Sequence, residues 1–273
     1  MLTTRQIKTV DHIASVQEAG DGKPVILFIH GNSMAKECFK PQFESSLSNS
    51  YRLIAIDLPG HGETVSKYNI RQAYSVALLV NFLRNLIRGL NIKECILLGH
   101  SLGGHIAIEA AGELPEVRGI LAWGMSPLTF DDVGHSPFTE HPATALAFSG
   151  TLDEKDIKSL SKGYWSKLSN PPPEILEMIS KTDPNFRSSI HKFITAGKFE
   201  DEVREISKFS FPVALAVGEH DEMINQGYIQ QVVAERLWKK KLHKIPDAGH
   251  SPHIENPDEF NRFAHTFIQD VLG

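Results

Sequence analysis

The segment around Ser101 constrains the fold more than any other part of this 273-residue chain. Residues 95–98, Cys-Ile-Leu-Leu, form a short apolar run typical of a buried strand, and residues 105–112 favour a helix. The turn between them is Gly99-His100-Ser101-Leu102-Gly103. Glycines two residues on either side of the serine avoid the collision that a Cβ atom would make with the neighbouring strand or helix. The pattern predicts a strand, a tight turn with a strained serine, and a helix.

A serine that only caps a helix is the alternative, because serine is a favoured N-cap residue. Two features of the context argue against it. A buried strand precedes the turn, and the helix after it, Ile106 to Ala111, carries small residues where it must lie on a sheet. We therefore predict that Ser101 is a nucleophile.

Five continuous apolar runs predict parallel strands that are covered on both faces. They are Val25–Ile29, Leu53–Ile56, Cys95–Leu98, Gly119–Trp123 and Val213–Val217. Residues 7–17 alternate more and predict an antiparallel pair at the sheet edge.

Helical patterns cover about residues 70–89, 101–113, 223–236 and 257–271. For the last of these, we expect Asn256 to cap the helix, Pro257 to occupy its first turn and Glu259 to complete a capping box. Strands that alternate with helices predict an α/β fold with a doubly wound, mostly parallel sheet.

Residues 126–208 break this rhythm, since they offer helical segments but no convincing buried strand. The segments span 153–167, 173–181 and 184–197, and a proline-rich stretch at 170–173 joins the first two. We expect a helical cap at 126–208 that folds over the carboxyl ends of the strands, where ligands bind in open α/β sheets. Residues 1–125 and 209–273 would then form the core. A separate second domain is less consistent with the few residues left on either side.

Composition excludes several classes of function. The net charge is −5, so no basic surface favours nucleic acid, and no apolar run approaches the length that spans a membrane. The two cysteines, Cys38 and Cys95, are far apart and lack metal-ligand spacing, which argues against a disulfide scaffold or a cysteine-based zinc site. The N-terminus lacks the apolar core of a signal peptide. These features lead us to expect a cytoplasmic protein.

A serine hydroxyl becomes a good nucleophile only when a base takes its proton and a third group orients that base. Asp221 follows the strand at 213–217, and His250 lies in a loop just before the last helix. We predict a catalytic triad of Ser101, Asp221 and His250. We also predict that the backbone N–H groups of Asn32 and Leu102 stabilise the oxyanion that forms in the transition state. Glu222 is the competing acid, although we expect it to begin the next helix and to interact there with the helix dipole.

The remaining histidines have structural interpretations. We expect His30 and His100 to order the backbone of turns and His253 to be structural, while His61 lies in a Pro-Gly-His-Gly loop. Placement after Ala248-Gly249 and ahead of the final helix favours His250 as the base.

Five motifs in this order resemble the α/β-hydrolase superfamily over nearly the whole chain. They are His30-Gly31-Asn32, Asp57-Leu58-Pro59-Gly60-His61-Gly62, Gly99-His100-Ser101-Leu102-Gly103-Gly104, Gly218-Glu219-His220-Asp221 and Ala248-Gly249-His250. Within the superfamily, residues 29–33, 101–106 with Glu109, and 124–127 are most similar to the metal-independent N-acyl homoserine lactonases. This resemblance implies a quorum-signal lactone as substrate.

We therefore expect a serine hydrolase of ester or lactone bonds that needs no metal or organic cofactor. An acyl chain would need an apolar lining, for which Trp123, Met125, Phe148, Tyr164 and Trp165 are candidates. A serine rather than an aspartate at the turn disfavours dehalogenase chemistry. A capped carboxylesterase, a peptidase, a carbon–carbon hydrolase and a catalytically silent receptor for a small ester stay open as alternatives.

Overall fold

A computed structural model describes residues 2–67, 74–165 and 171–273 of the chain. The strands are Thr3–Lys8 (β1), His12–Ala19 (β2), Val25–Ile29 (β3), Arg52–Ile56 (β4), Val65–Ser66 (β5), Cys95–His100 (β6), Val117–Trp123 (β7), Val213–Gly218 (β8) and His243–Ile245 (β9). The helices are Lys40–Phe43 (α1), Leu47–Ser50 (α2), Val76–Gly89 (α3), Leu102–Ala111 (α4), Pro142–Ala147 (α5), Glu154–Gly163 (α6), Pro173–Lys181 (α7), Pro184–Thr195 (α8), Glu202–Lys208 (α9), Gln226–Val232 (α10), Pro252–Glu255 (α11) and Pro257–Leu272 (α12). Single 3₁₀ turns cover Lys36–Phe39, Ala234–Arg236 and Trp238–Lys240.

The strands form one mixed sheet in the order β1-β2-β4-β3-β6-β7-β8-β9, and β5 pairs with β2. From β4 to β9 all neighbouring strands are parallel, whereas β1, β2 and β5 pair antiparallel at one edge. The predicted mostly parallel sheet, its five buried strands and its antiparallel edge are confirmed. The strands β3, β6 and β8 are buried along their whole length, which is why their sequences read as continuous apolar runs.

Side chains of the central strands alternate between two apolar layers. In β3, Leu27 and Ile29 pack with residues of α3, α4 and α10 on one face. Ile26 and Phe28 pack on the other face, with residues of α1, α2 and α12. Helices on both faces of the sheet give the doubly wound α/β architecture that the sequence predicts.

Five helices, α5 to α9, lie in the chain between β7 and β8. Three of them match the predicted segments, but α5 and α9 were not predicted, since they span only six and seven residues. Parts of three predicted segments lie outside the described residues. They are the start of the helix at 70–89, the end of the helix at 153–167 and the first residue of the proline-rich stretch.

Two predictions about helix ends are wrong. The Asn256 side chain does not cap α12, because its Nδ2 donates instead to the carbonyl oxygen of Pro246 at 2.9 Å. Pro257 does occupy the first turn, as predicted. The helix expected at 223–236 begins only at Gln226, since the Asn225 side chain accepts from the N–H of Tyr228 and caps α10 there.

Candidate active site

Ser101 lies at the turn between β6 and α4, with backbone angles φ 49° and ψ −118°. A positive φ is costly for a residue with a Cβ atom, so the surrounding structure must impose it. The Ser101 N–H donates to the carbonyl oxygen of Trp123 on the neighbouring strand at 2.8 Å. A Cβ atom on Gly99 would collide with the carbonyl oxygen of Gly103, and one on Gly103 with that of Ile29. The two glycines therefore allow the turn, as the sequence predicts.

His250 and Asp221 meet across the loops that follow β9 and β8. The His250 Nδ1 lies 3.0 Å from the Asp221 Oδ2, and both side chains are buried. The other carboxyl oxygen of Asp221 accepts from the N–H of Met223 at 2.9 Å, which fixes the carboxylate. A carboxylate at Nδ1 orients the imidazole and favours the tautomer with its free lone pair on Nε2. The Nε2 atom is buried and has no hydrogen-bond partner within the described ranges.

Glu222, the competing acid, points elsewhere. Its side chain is 74% exposed, and its Oε2 lies 3.7 Å from the Nε2 of His141. The residue precedes α10 by four positions, so the expectation that it begins that helix is wrong. This geometry leaves Asp221 as the carboxylate that contacts His250.

Ser101 and His250 border one mostly apolar pocket, with an empty volume of about 560 Å³ that is partly open to solvent. Its walls come from α4, α5, α8, the turn after α6, the segment between β7 and α5, and the loops after β3, β8 and β9. The lining residues are Asn32, Ser101, Leu102, His105, Phe138, Thr144, Ala147, Phe148, Tyr164, Ile190, Ile194, Met223, Ile224 and His250.

Of the five residues that the sequence suggested for this lining, Phe148 and Tyr164 border the pocket. The Tyr164 ring stacks on the imidazole of His250 with ring centroids 5.7 Å apart. Trp123, Met125 and Trp165 do not border it, and that expectation needs correction. Each of the three is at most 3% exposed and packs in the apolar layers around the sheet.

Asn32 and Leu102 both border the pocket beside Ser101. The Asn32 side chain is occupied, since its Nδ2 donates to the carbonyl oxygen of Ala147 at 2.6 Å and its Oδ1 accepts from Ser33. The backbone N–H groups of Asn32 and Leu102 have no hydrogen-bond acceptor among the described residues. The hydrogen bonds of the described fold therefore leave both N–H groups without a partner.

A buried polar pair beside the pocket was not predicted from the sequence. The His105 Nδ1 lies 2.8 Å from the Glu202 Oε1, and the N–H of Leu128 donates to the other oxygen of that carboxylate at 2.7 Å. Nearby on α4, burial and then the charge of Glu202 raise the pKa of Glu109 to about 8. A histidine and a glutamate four residues apart on one helix were visible in the sequence, but Glu202 is distant along the chain.

The other histidines have the structural contacts expected of them. His30 Nε2 accepts from the N–H of Leu58 at 3.0 Å, and burial lowers its pKa. His100 Nε2 contacts the carbonyl oxygen of His250 at 2.9 Å. His253 Nδ1 accepts from the indole N–H of Trp123, and burial lowers the pKa of His253 to about 3.

The sequence profile of the Alpha/beta hydrolase family matches residues 26–263, which include Ser101, Asp221 and His250. The chain belongs to this family. The predicted membership of the α/β-hydrolase superfamily is therefore confirmed, and the protein is a hydrolase.

Among solved structures, this hydrolase is similar to a variant of the N-acyl homoserine lactonase AidH complexed with N-hexanoyl homoserine lactone. The TM-score is 0.91 and the identity 28%, over 98% of each chain. AidH complexed with N-butanoyl homoserine gives the same TM-score and identity. The carboxylesterase CesB from Bacillus subtilis shares the fold, with a TM-score of 0.76 and 17% identity over 98% of this chain and 92% of CesB.

Among characterised sequences, the serine hydrolase BPHL of Mus musculus is 24% identical over 265 residues. The match covers 93% of this chain and 82% of BPHL.

Among the described residues, no group of three or more His, Cys, Asp or Glu side chains is arranged to hold a metal ion. Within the same ranges, every helix is too short or too polar to cross a membrane.

Proposed function

We propose that this hydrolase opens the ring of N-acyl homoserine lactones by a Ser-His-Asp mechanism, with Ser101 as nucleophile, His250 as base and Asp221 as the group that orients His250. One observation supports it above the others: a strained serine and a buried histidine with a free Nε2 border the same apolar pocket. Serine hydrolases activate their nucleophile with this combination of groups.

The first half of the reaction transfers the acyl group to the enzyme. The Ser101 Oγ attacks the lactone carbonyl carbon while its proton passes to the His250 Nε2. The negative charge that develops on the carbonyl oxygen is stabilised by the N–H groups of Asn32 and Leu102, each worth about 2.7 to 4 kcal/mol in the transition state. Collapse of the tetrahedral intermediate breaks the ring C–O bond, and the leaving alkoxide takes the proton from His250.

The second half releases the product. Water gives a proton to the His250 Nε2 and attacks the acyl carbon, and the Ser101 oxygen leaves with that proton. Because the alkoxide of a lactone remains attached to the acyl part, the single product is N-acyl homoserine. The whole cycle adds one water.

Two observations favour an acylated lactone over a small ester. The pocket walls carry apolar side chains from α8 and the loops, including Phe138, Phe148, Ile190 and Ile194, which can bury an acyl chain. Each buried CH₂ contributes about 0.8 kcal/mol. In addition, AidH, with which the chain shares 28% identity over nearly its whole length, is an N-acyl homoserine lactonase.

Mass spectrometry of acyl homoserine lactones of graded chain length tests the proposal. We expect a product heavier by one water, with kcat/KM that rises with chain length until the pocket is full. The Ser101→Ala variant and buffer alone are the controls, because lactones also open spontaneously. Intact lactone together with rapid turnover of p-nitrophenyl acetate would indicate a carboxylesterase. Absence of both, with no labelling by a fluorophosphonate, would indicate a silent receptor.

A further inference from the structure

Arg187 of α8 is a buried cation that the proposed mechanism does not use. The residue is 3% exposed. Its Nε donates to the carbonyl oxygen of Ser149 at 2.9 Å, and its Nη2 to that of Gly150 at 3.0 Å. Burial lowers its pKa from the ordinary value for arginine, and the charge of Asp183, at the start of the same helix, offsets part of that shift. Burying a guanidinium group is costly, so this position calls for a functional explanation.

Two hydrogen bonds connect the third guanidinium nitrogen of Arg187 to the side chain of Asn32, which belongs to the proposed oxyanion site. Its Nη1 donates to the Ser33 Oγ at 3.0 Å, and the Ser33 hydroxyl donates in turn to the Asn32 Oδ1 at 3.0 Å. The hydroxyl thus accepts one bond and donates the other, so the chain of donors is consistent. Ser33 itself has a positive φ of 61°, and its N–H donates to the His61 Nε2 at 3.1 Å.

Asn32 is held at other points as well. Its Nδ2 donates to the carbonyl oxygen of Ala147, and its own carbonyl oxygen accepts from the Tyr164 hydroxyl at 2.8 Å. Ala147, Tyr164 and Arg187 all belong to the segment between β7 and β8. That segment therefore fixes the side chain and the carbonyl group of Asn32, and only its backbone N–H is left to meet a ligand.

We propose that Arg187 is a positioning residue that acts through Ser33 to aim the Asn32 N–H at the oxyanion, and that its buried positive charge stabilises the developing negative charge. This inference rests on the proposed function of Asn32 and Ser101. A charge in a poorly solvated site acts over several ångströms more strongly than in water. A purely structural Arg187 would tie Ser149 and Gly150 to α8 and leave catalysis unchanged in a folded protein.

The two roles are separated by Ser33→Ala, which breaks the link to Asn32 but keeps the bonds from Arg187 to the two carbonyl groups. Turnover of p-nitrophenyl acetate and inhibition by phenylboronic acid, which forms a tetrahedral adduct with an active-site serine, are measured on each variant. We expect Ser33→Ala to lower kcat about 10-fold and to lower the affinity for phenylboronic acid by a similar factor, while KM changes less than 2-fold.

Arg187→Met should lower kcat about 100-fold, in the range of a lost oxyanion donor, and Arg187→Lys should restore part of it by restoring the charge. Ser180→Ala, an exposed serine of α7, and Arg204→Met, an exposed arginine of α9, are the matched controls and should behave as wild type. Thermal melting of each variant reports whether it is folded. If Arg187→Met does not fold, Ser33→Ala decides.

Wild-type kcat and boronic acid affinity in folded Ser33→Ala would overturn the inference and leave the proposed function intact. The inference would also be overturned if a variant lost kcat only in proportion to its loss of stability, and if its boronic acid affinity and its KM changed by the same factor. That result would favour a structural role. If wild type shows no turnover that depends on Ser101, the proposed function and this inference fail together.

Discussion

Glu109 lies on α4 one turn after His105, and its carboxyl group has an unusually high pKa. Burial, and then the negative charge of Glu202, raise its pKa from the ordinary 4.5 to about 8. Its Oε1 atom is buried without a hydrogen-bond partner in the described part of the chain. At pH 7 the side chain is therefore a neutral acid in the folded protein and a carboxylate in the unfolded one.

This difference makes the stability of the fold depend on pH. Because the folded pKa is the higher one, the folded state holds the proton more tightly. The resulting stabilisation is fully present below pH 4.5 and is lost as the pH rises through about 8. The gap of about 3.5 pH units corresponds to about 5 kcal/mol, at about 1.4 kcal/mol for each unit.

Glu109→Gln isolates this contribution, since glutamine has nearly the same shape as the protonated acid and does not titrate. Urea unfolding of both proteins is measured from pH 5 to pH 9. We expect wild type to lose stability relative to Glu109→Gln by several kcal/mol over this range. The other ionisable groups are the same in both proteins, so their contributions largely cancel in the difference. A difference that stays constant from pH 5 to pH 9 would refute the reasoning.

The remaining predictions concern the site. Ser101→Ala and His250→Ala should each lower kcat by about 10⁴ to 10⁶, and the double variant should be little worse because the two act as a unit; near-normal turnover by Ser101→Ala in a steady-state assay would rule out its role. Asp221→Asn should lower kcat about 10⁴-fold and Glu222→Gln less than 2-fold, and the reverse ranking would assign the acid to Glu222. Ile194→Trp should lower kcat/KM about 10-fold for long-chain lactones while short-chain lactones are unaffected; an equal loss for both would argue against an acyl chain along α8. Dialysis against EDTA should leave the rate unchanged, because every proposed step uses side chains and backbone groups alone; a rate restored only by added Zn²⁺ would contradict that mechanism.

Local sequence determined the turn at Ser101 and the buried strands. A strand, a turn with two glycines and a helix are specified by residues that are neighbours along the chain, and a strand covered on both faces must be apolar throughout. The same holds for the loops of Asp221 and His250, since the carboxyl ends of parallel strands meet at one edge of the sheet. The contact between these two side chains was therefore predictable from the order of the motifs.

Tertiary structure decided what lies around these groups. Trp123 ends β7 and Met125 lies just beyond it, yet packing turned both side chains into the core, whereas Ile190 and Ile194 line the pocket from α8, which is far from Ser101 along the chain. The Asn256 side chain left its expected cap for the carbonyl oxygen of Pro246.

The polar contacts that involve Arg187 and Glu202 were equally invisible in the sequence. Arg187 meets Ser33 across 154 positions of the chain, and Glu202 meets His105 across 97. No local pattern encodes such pairs, because an exposed and a buried charge look the same in a sequence. Their partners become neighbours only when the segment between β7 and β8 packs against the sheet, and that packing gives the buried charges their energetic effect.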